Sequence, residues 1–415
     1  MSRKTITILI IVGVLIAVVL LGLAWYLERG GTLGGGSVEP ADRGIFSGFF
    51  PTDSEDTGGG GTPFGGAGGD GGDGRGSIRL GGGEGEAREL PALRKIAEGP
   101  VVGATVFLRD GEPLARYADR RTGHIYEVDL STDNTKRLTG TTIPAGQEMY
   151  WNKDGSQVIF LYIDDDSGRI VTFAGTVHED TNEFNGSFIT GVPLALASSQ
   201  DSDRIFAIFN VDNSAVGIAT DYDGNRRVEI FSLPFREWRA LWPNTGTIAL
   251  TTKPSKNVDG HMYFVNTQTG GFRNILNGIL GLTALTSPDA DTVLYSKSTP
   301  RGFETYFFDD GESERLAIST FPPDKCVWAA DSVAVYCGVP TAVPRGDYPD
   351  DWYQGQVSLS DDIWIIDRES GFTDRIASPN VLGEDIDIID PKIDEESTHI
   401  IFMNKKDRSL WTLRL

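Results

Sequence analysis

Apolar and polar positions follow three different patterns along this chain, and each predicts a different kind of segment. Residues 5–27 (TITILIIVGVLIAVVLLGLAWYL) are uncharged. At 1.5 Å rise per residue, a helix over them reaches about 34 Å, enough for the ~30 Å hydrocarbon layer of a bilayer. Residues 28–87 are the opposite: 23 of the 57 residues from Gly30 to Glu86 are Gly, with few large apolar groups. Such a segment cannot bury enough apolar surface to offset the entropy of ordering, so it predicts a disordered tether with an r.m.s. span of about 40 Å. From residue 88 to 415, short runs rich in Val, Ile, Phe, Tyr and Trp are punctuated by Asp-Gly, Thr-Gly and Ser-Gly pairs. These are strand and hairpin signals, with no sustained helical period.

The flanks of the first segment set its orientation. Arg3 and Lys4 precede it and Glu28 and Arg29 follow it, so the positive-inside bias places residues 1–4 in the cytoplasm and the rest outside, at the cell surface or in the periplasm. Trp25 and Tyr26 stand where aromatic rings favour the headgroup level. The competing reading, a cleaved signal peptide, needs a shorter apolar run and a small-x-small site, which Leu23-Ala24-Trp25 does not supply. One patch interrupts the tether: Gly44-Ile45-Phe46-Ser47-Gly48-Phe49-Phe50-Pro51. It reads as a weakly collapsed or membrane-touching bead, with a docking motif as the sharper alternative.

The β region repeats. His124-Ile125-Tyr126-Glu127-Val128-Asp129, His261-Met262-Tyr263-Phe264-Val265-Asn266 and Asp362-Ile363-Trp364-Ile365-Ile366-Asp367 are three copies of one strand. Counting from Ile125 through Ile170, Val216, Met262, Thr305, Ile363 and Leu410 gives intervals of 45, 46, 46, 43, 58 and 47. An upstream hairpin agrees: Phe107, Trp151, Ser199, Trp242, Thr286, Trp328 and Asp390 each precede a polar turn, such as Asn152-Lys153-Asp154-Gly155 or Pro391-Lys392-Ile393-Asp394. Seven copies of about 45 residues, each with four short strands, predict an all-β, seven-bladed β-propeller. Six blades is the alternative if the first or last copy fails to form a sheet.

Tyr150-Trp151-Asn152-Lys153-Asp154-Gly155-Ser156-Gln157-Val158-Ile159-Phe160 and Thr286-Ser287-Pro288-Asp289-Ala290-Asp291-Thr292-Val293-Leu294-Tyr295 resemble the W-S-P-D-G-x-x-I-x-F hairpin of TolB-like, WD40-like propellers. Ile125-Tyr126-Glu127-Val128-Asp129 through Arg137-Leu138-Thr139 is similar to their I-Y-x-x-D…R-L-T half. The resemblance covers residues of about 90–415 and implies a stability motif: Asp-Gly supplies positive φ, and the aromatic packs between neighbouring sheets. The last copy lacks its outermost strand, and Leu93-Arg94-Lys95-Ile96-Ala97 is predicted to supply it, removing an exposed edge.

Composition narrows the function. A net charge of −22 argues against binding nucleic acid. Four His and two Cys without a CxxC offer no zinc cluster, so neither metal nor cofactor is expected. Acidic loops at Asp164-Asp165-Asp166 and Asp221-Tyr222-Asp223 miss the Ca²⁺-loop spacing and read as hairpin turns. His124 and His261 share one repeat position, which suits packing better than catalysis, and no G-x-S-x-G elbow occurs. No catalytic residue is assigned. Cys326 and Cys337 flank a hairpin in which they face each other if Trp328 faces Val335, a disulfide geometry in an oxidising exterior, with two free thiols as the alternative. The sixth copy carries an insertion, Gly338 to Leu359, with Tyr348, Trp352 and Tyr353 beside Asp347, Asp350 and Asp351. Aromatics on a loop are favoured binding anchors, so these six residues are the expected contact surface, unless the loop covers the ring's rim or lines its channel. The sequence thus favours a membrane-anchored module that binds an envelope protein or glycan without catalysis. A channel-based glycan lyase or hydrolase and a structural spacer are the alternatives.

Overall fold

The computed structural model describes residues 90–415. The predicted span at 5–27 and tether at 28–87 lie outside the described residues; among the described residues no helix is long and apolar enough to cross a membrane. Seven four-stranded antiparallel sheets stand around one axis. Blades 1 to 6 are continuous in sequence, covering residues 101–137, 146–189, 195–233, 238–280, 283–315 and 326–377, with strand order from the axis outward following the chain. Blade 1 is complete, so the ring has seven blades and not six.

Burial explains why each segment takes its place. Second strands are covered on both faces and read as apolar runs, as in Gln157–Ile163, where Val158, Ile159, Phe160 and Leu161 are all buried. Fourth strands meet water and are polar, as in Thr135–Arg137 and Glu312–Arg315. Between sheets lie the motif aromatics: Trp151 of blade 2 packs with Val102, Ala118, Ile125 and Leu138 of blade 1. Gly111 and Gly155 close their turns at φ 84° and 70°, conformations a side chain disfavours.

The seventh blade joins both ends of the described chain. Its three inner strands are Ile388–Ile393, His399–Asn404 and Leu410–Arg414, and Leu93–Ala97 adds outside, with Leu93 opposite Leu413 and Lys95 opposite Trp411. Arg94 ties this donated strand to blade 1 through Asp133 (2.8 Å) and the Leu130 carbonyl (2.5 Å). Arg408 donates to the carbonyls of Val101 and Val102, at 2.9 and 3.2 Å.

Two positions in the predicted repeat shift. The innermost strand of blade 7 runs through Asp390 to Ile393, and its turn begins at Asp394, whose N–H donates to the His399 carbonyl. Pro391-Lys392-Ile393 is therefore strand, interrupted by a bulge between Ile389 and Lys392. In blade 3 the residue matching Trp151 is Ser198, paired with Ile205, and Ser199 opens the turn. In both copies the missing aromatic left the register without a marker.

Candidate functional site

The insertion joins the second and third strands of blade 6, Ala334–Pro340 and Asp361–Asp367, and it turns inward. The expectation of exposed aromatic anchors is corrected: Tyr348, Trp352 and Tyr353 are 1%, 0% and 8% exposed. Trp352 and Tyr353 lie in a single helical turn, Asp350–Tyr353. The Trp352 ring stacks on Phe321 at 5.2 Å, and Tyr348 packs on Phe303 and Phe321. The physical reason is area: three large rings on a short loop gain more from a shared apolar cluster than from water. The acidic residues hold the loop from outside. Asp350 accepts from Ser255 Oγ (2.9 Å) and the Lys256 N–H (2.7 Å), Asp351 accepts from the Asp347 N–H (2.7 Å), and Asp347 pairs with Lys256. Asp347 alone of these groups remains mainly exposed. The loop thus caps one mouth of the ring, as the alternative reading anticipated, gripping blade 4 through Ser255, blade 5 through Ser298 and blade 7 through Lys405.

Beneath it lies a charged layer that sequence reading missed. Register places Ala104, Glu148, Ala195, Arg239 and Thr283 opposite Tyr117, Leu161, Ile208, Thr251 and Ser296, and the Lys325 carbonyl accepts from the Gly338 N–H. Each position on the second strand is three residues beyond Leu114, Val158, Ile205, Ile248, Val293 or Val335, the residue that occupies the same buried place near the start of each second strand. These six positions therefore share one height around the axis. Asp390 joins them from blade 7: the bulge leaves it out of the ladder at φ 50°. A bulge re-aims a side chain in this way, and Asp is one of the non-glycine residues that accepts such a φ. Glu148, Arg239, Lys325 and Asp390 thus converge from four blades.

One sector of this layer is neutralised by carboxylates from blades 6 and 7 and their entrances, and the insertion adds hydrogen bonds to them. Lys325, wholly buried, reaches Asp361 at 2.5 Å and Asp387 at 2.6 Å. Burial alone would lower the ammonium pKa, but the two carboxylates outweigh it and raise it. Asp387 also accepts from Trp352 Nε1 (3.1 Å) and the Leu359 N–H (2.9 Å). Arg239 of blade 4 meets Asp324 at the entrance of blade 6 (2.7 Å), skipping blade 5, and both bond Tyr353 Oη at 2.6 Å. Such a contact is made only through the ring's interior.

In the sector of blades 7, 1 and 2 the polar groups keep some access to water. Tyr150 donates to Glu148 at 2.9 Å, and both side chains are partly exposed. Asp390 and Lys392 keep 41% and 32% of their side-chain surface and lie 3.5 Å apart, while Lys392 Nζ donates to the Ala104 carbonyl at 2.7 Å. These surfaces are open to solvent yet surrounded by protein. Burial pushes Glu148 up to about 7, against the pull of Tyr150 and Arg408, and pushes Asp390 up against Lys392 and Arg408. Tyr150 is raised well above its ordinary value, by burial first and then by Glu148 and Asp390. At the far end, Lys153 and Glu395 join the first turns of blades 2 and 7 at 3.0 Å. The signal for the layer was present in the repeat: Glu148, Arg239 and Lys325 each stand three residues before a blade Trp.

Cys326 lies opposite Cys337 across the blade 6 hairpin, with Trp328 opposite Val335 and a bridge between the two sulfurs. The acidic loops cap their own turns, Asp164 accepting from the Ser167 N–H and Oγ, and Asp223 from the Asn225 N–H. His124 bonds Thr142 in the segment leading to blade 2, and His261 bonds Asn277 within blade 4. Among the described residues, no group of three or more His, Cys, Asp or Glu is arranged to hold a metal ion.

No protein-family model matches this chain, and no curated protein sequence does. Solved structures do. One is an oligogalacturonate lyase in complex with manganese, with a TM-score of 0.51 at 14% identity over 78% of this chain and 93% of that one. Another is the β-propeller domain of the Trilobed protease from Pyrococcus furiosus, at 0.48 and 14% over 74% and 94%. At such identity the likeness to the lyase establishes the β-propeller fold, and the fold alone.

Proposed function

We propose that the chain is a recognition head displayed outside the membrane on the span at 5–27 and the tether at 28–87, and that it binds its ligand in the open sector of the axial passage without transforming it. The observation that carries this reading is the half-neutralised layer. Arg239 and Lys325 are saturated by partners around the insertion, whereas Glu148, Tyr150, Asp390 and Lys392 are accessible on the facing side. Concave sites with a few convergent polar groups are where folds place ligands. The contact surface therefore moves from the insertion's aromatics to the wall opposite them. Crosslinking of the full chain in intact envelopes tests this, comparing the unaltered protein with Glu148→Gln/Asp390→Asn. Captured material is expected to fall about tenfold in the double variant; equal capture removes the passage from the reading.

A second reading has one observation in its favour. A carboxyl titrating at about 7 and hydrogen-bonded to a Tyr has the protonation balance of a general acid or base. Turnover of glycans or esters by the purified full chain, abolished by Glu148→Gln, would move the function from binding to catalysis.

A further inference from the structure

Resting on that reading of the open sector, we infer that its ligand is a neutral polyhydroxylated molecule, a sugar or short oligosaccharide, held between Asp390 and Lys392 of blade 7 and Glu148 and Tyr150 of blade 2. The argument is one of sign and of hydrogen-bond capacity. The wall carries Glu148 and Asp390 as acceptors and Lys392 as a donor, with Arg408 behind them on the Val101 and Val102 carbonyls. An anion entering meets the carboxylates of Glu148 and Asp390, and a cation meets the Lys392 ammonium and the Arg408 guanidinium, so neither gains a one-signed field. A hydroxyl both donates and accepts, and neighbouring hydroxyls on a ring match alternating donors and acceptors. Hydrogen bonds to charged groups are also the stronger kind.

Blade geometry favours the same class. Lys392 is anchored by the Ala104 carbonyl, and Asp390 is fixed by its N–H to the Asp324 carbonyl at 3.0 Å. Glu148 is held by Tyr150. The polar groups are thus oriented before a ligand arrives, which lowers the entropy cost of binding. Tyr150 adds an aromatic ring to the same wall, an apolar body with a polar tip.

Calorimetric titration of the full chain in lipid nanodiscs tests the inference, with three neutral trisaccharides (cellotriose, maltotriose and chitotriose), a trisaccharide of uronic acids, and spermidine. At least one neutral trisaccharide is expected to bind most tightly, and its affinity to fall about tenfold in Asp390→Asn and in Lys392→Met. Asparagine is tolerated at positive φ, so the first variant keeps the bulge; an unchanged thermal midpoint checks this. If the acidic sugar or spermidine binds more tightly and depends on the same two residues, the site stands and the ligand class is overturned. No binding by any neutral trisaccharide overturns the class as well. Binding that ignores both substitutions overturns the site.

Discussion

Blades 2 and 6 begin from one hairpin plan and end with opposite electrostatics. Trp151 faces Val158 in one and Trp328 faces Val335 in the other, each aromatic buried against a neighbouring sheet. Three residues upstream, blade 2 places Glu148 and blade 6 places Lys325. Lys325 has no access to water and two carboxylates within 2.6 Å; Glu148 is partly exposed, with a Tyr hydroxyl for company. The repeat therefore specifies the sheets, while the residue at this one position and the loop opposite it specify the passage. The same ladder rung is structural where the insertion covers it and accessible where it does not.

Removing Lys325 is the harshest test of that contrast. Lys325→Met leaves Asp361 and Asp387 buried without their cation, and breaking a buried pair costs about 3–5 kcal/mol. The thermal midpoint of the full chain, followed by circular dichroism, is expected to fall steeply. A variant as stable as the parent would mean that the two rungs do not differ as described. Trp352→Ala comes next, at about 3–5 kcal/mol for a fully buried aromatic that also binds Asp387. An exposed binding anchor would show no such loss, so denaturant midpoints separate a plug from a contact surface.

The blade 6 hairpin offers an intermediate effect. A bridge between Cys326 and Cys337 closes a loop of sequence separation 11, and chain-entropy arguments give about 2–3 kcal/mol. Protein taken from its native membrane is expected to resist thiol labelling until reduced, and then to lose stability by about that amount. Immediate labelling of both cysteines would place blade 6 in a reducing compartment and undercut external display. Blade 2 has no such link, so reduction should leave its amide-exchange protection unchanged.

How much of this was legible follows from what each feature depends on. Period, blade number and the donated strand at Leu93–Ala97 rest on local alternation and turn chemistry, which a sequence carries openly. Tyr348, Trp352 and Tyr353 were visible as aromatics, but whether they face water or the ring depends on Phe303 and Phe321, contributed from other parts of the chain. The charged layer depends on comparing copies by rung. Two copies without the aromatic, at Ser198 and Ile393, shift that comparison by one and by three residues, which put Asp390 at the aromatic position instead of three residues before it.

The mildest test concerns the sign of a pH effect at the accessible rung. Glu148 titrates at about 7 in the folded chain, above the ordinary Glu value of 4.5. Between those two values the unfolded chain has already released the proton that the folded chain retains. Fewer protons on the unfolded state mean that stability falls as pH rises through this window. Glu148→Gln keeps an acceptor for Tyr150 and removes the titration. Its thermal midpoint is expected to exceed the parent's by a few degrees at pH 8, with the difference closing as pH falls towards 4.5. A gain that persists at low pH would show that the effect is not one of titration, and a loss at pH 8 would show that the carboxylate is already well compensated by Arg408 and Tyr150. The open sector would then be as neutralised as the one beneath the insertion, and the contrast between blades 2 and 6 would reduce to exposure alone.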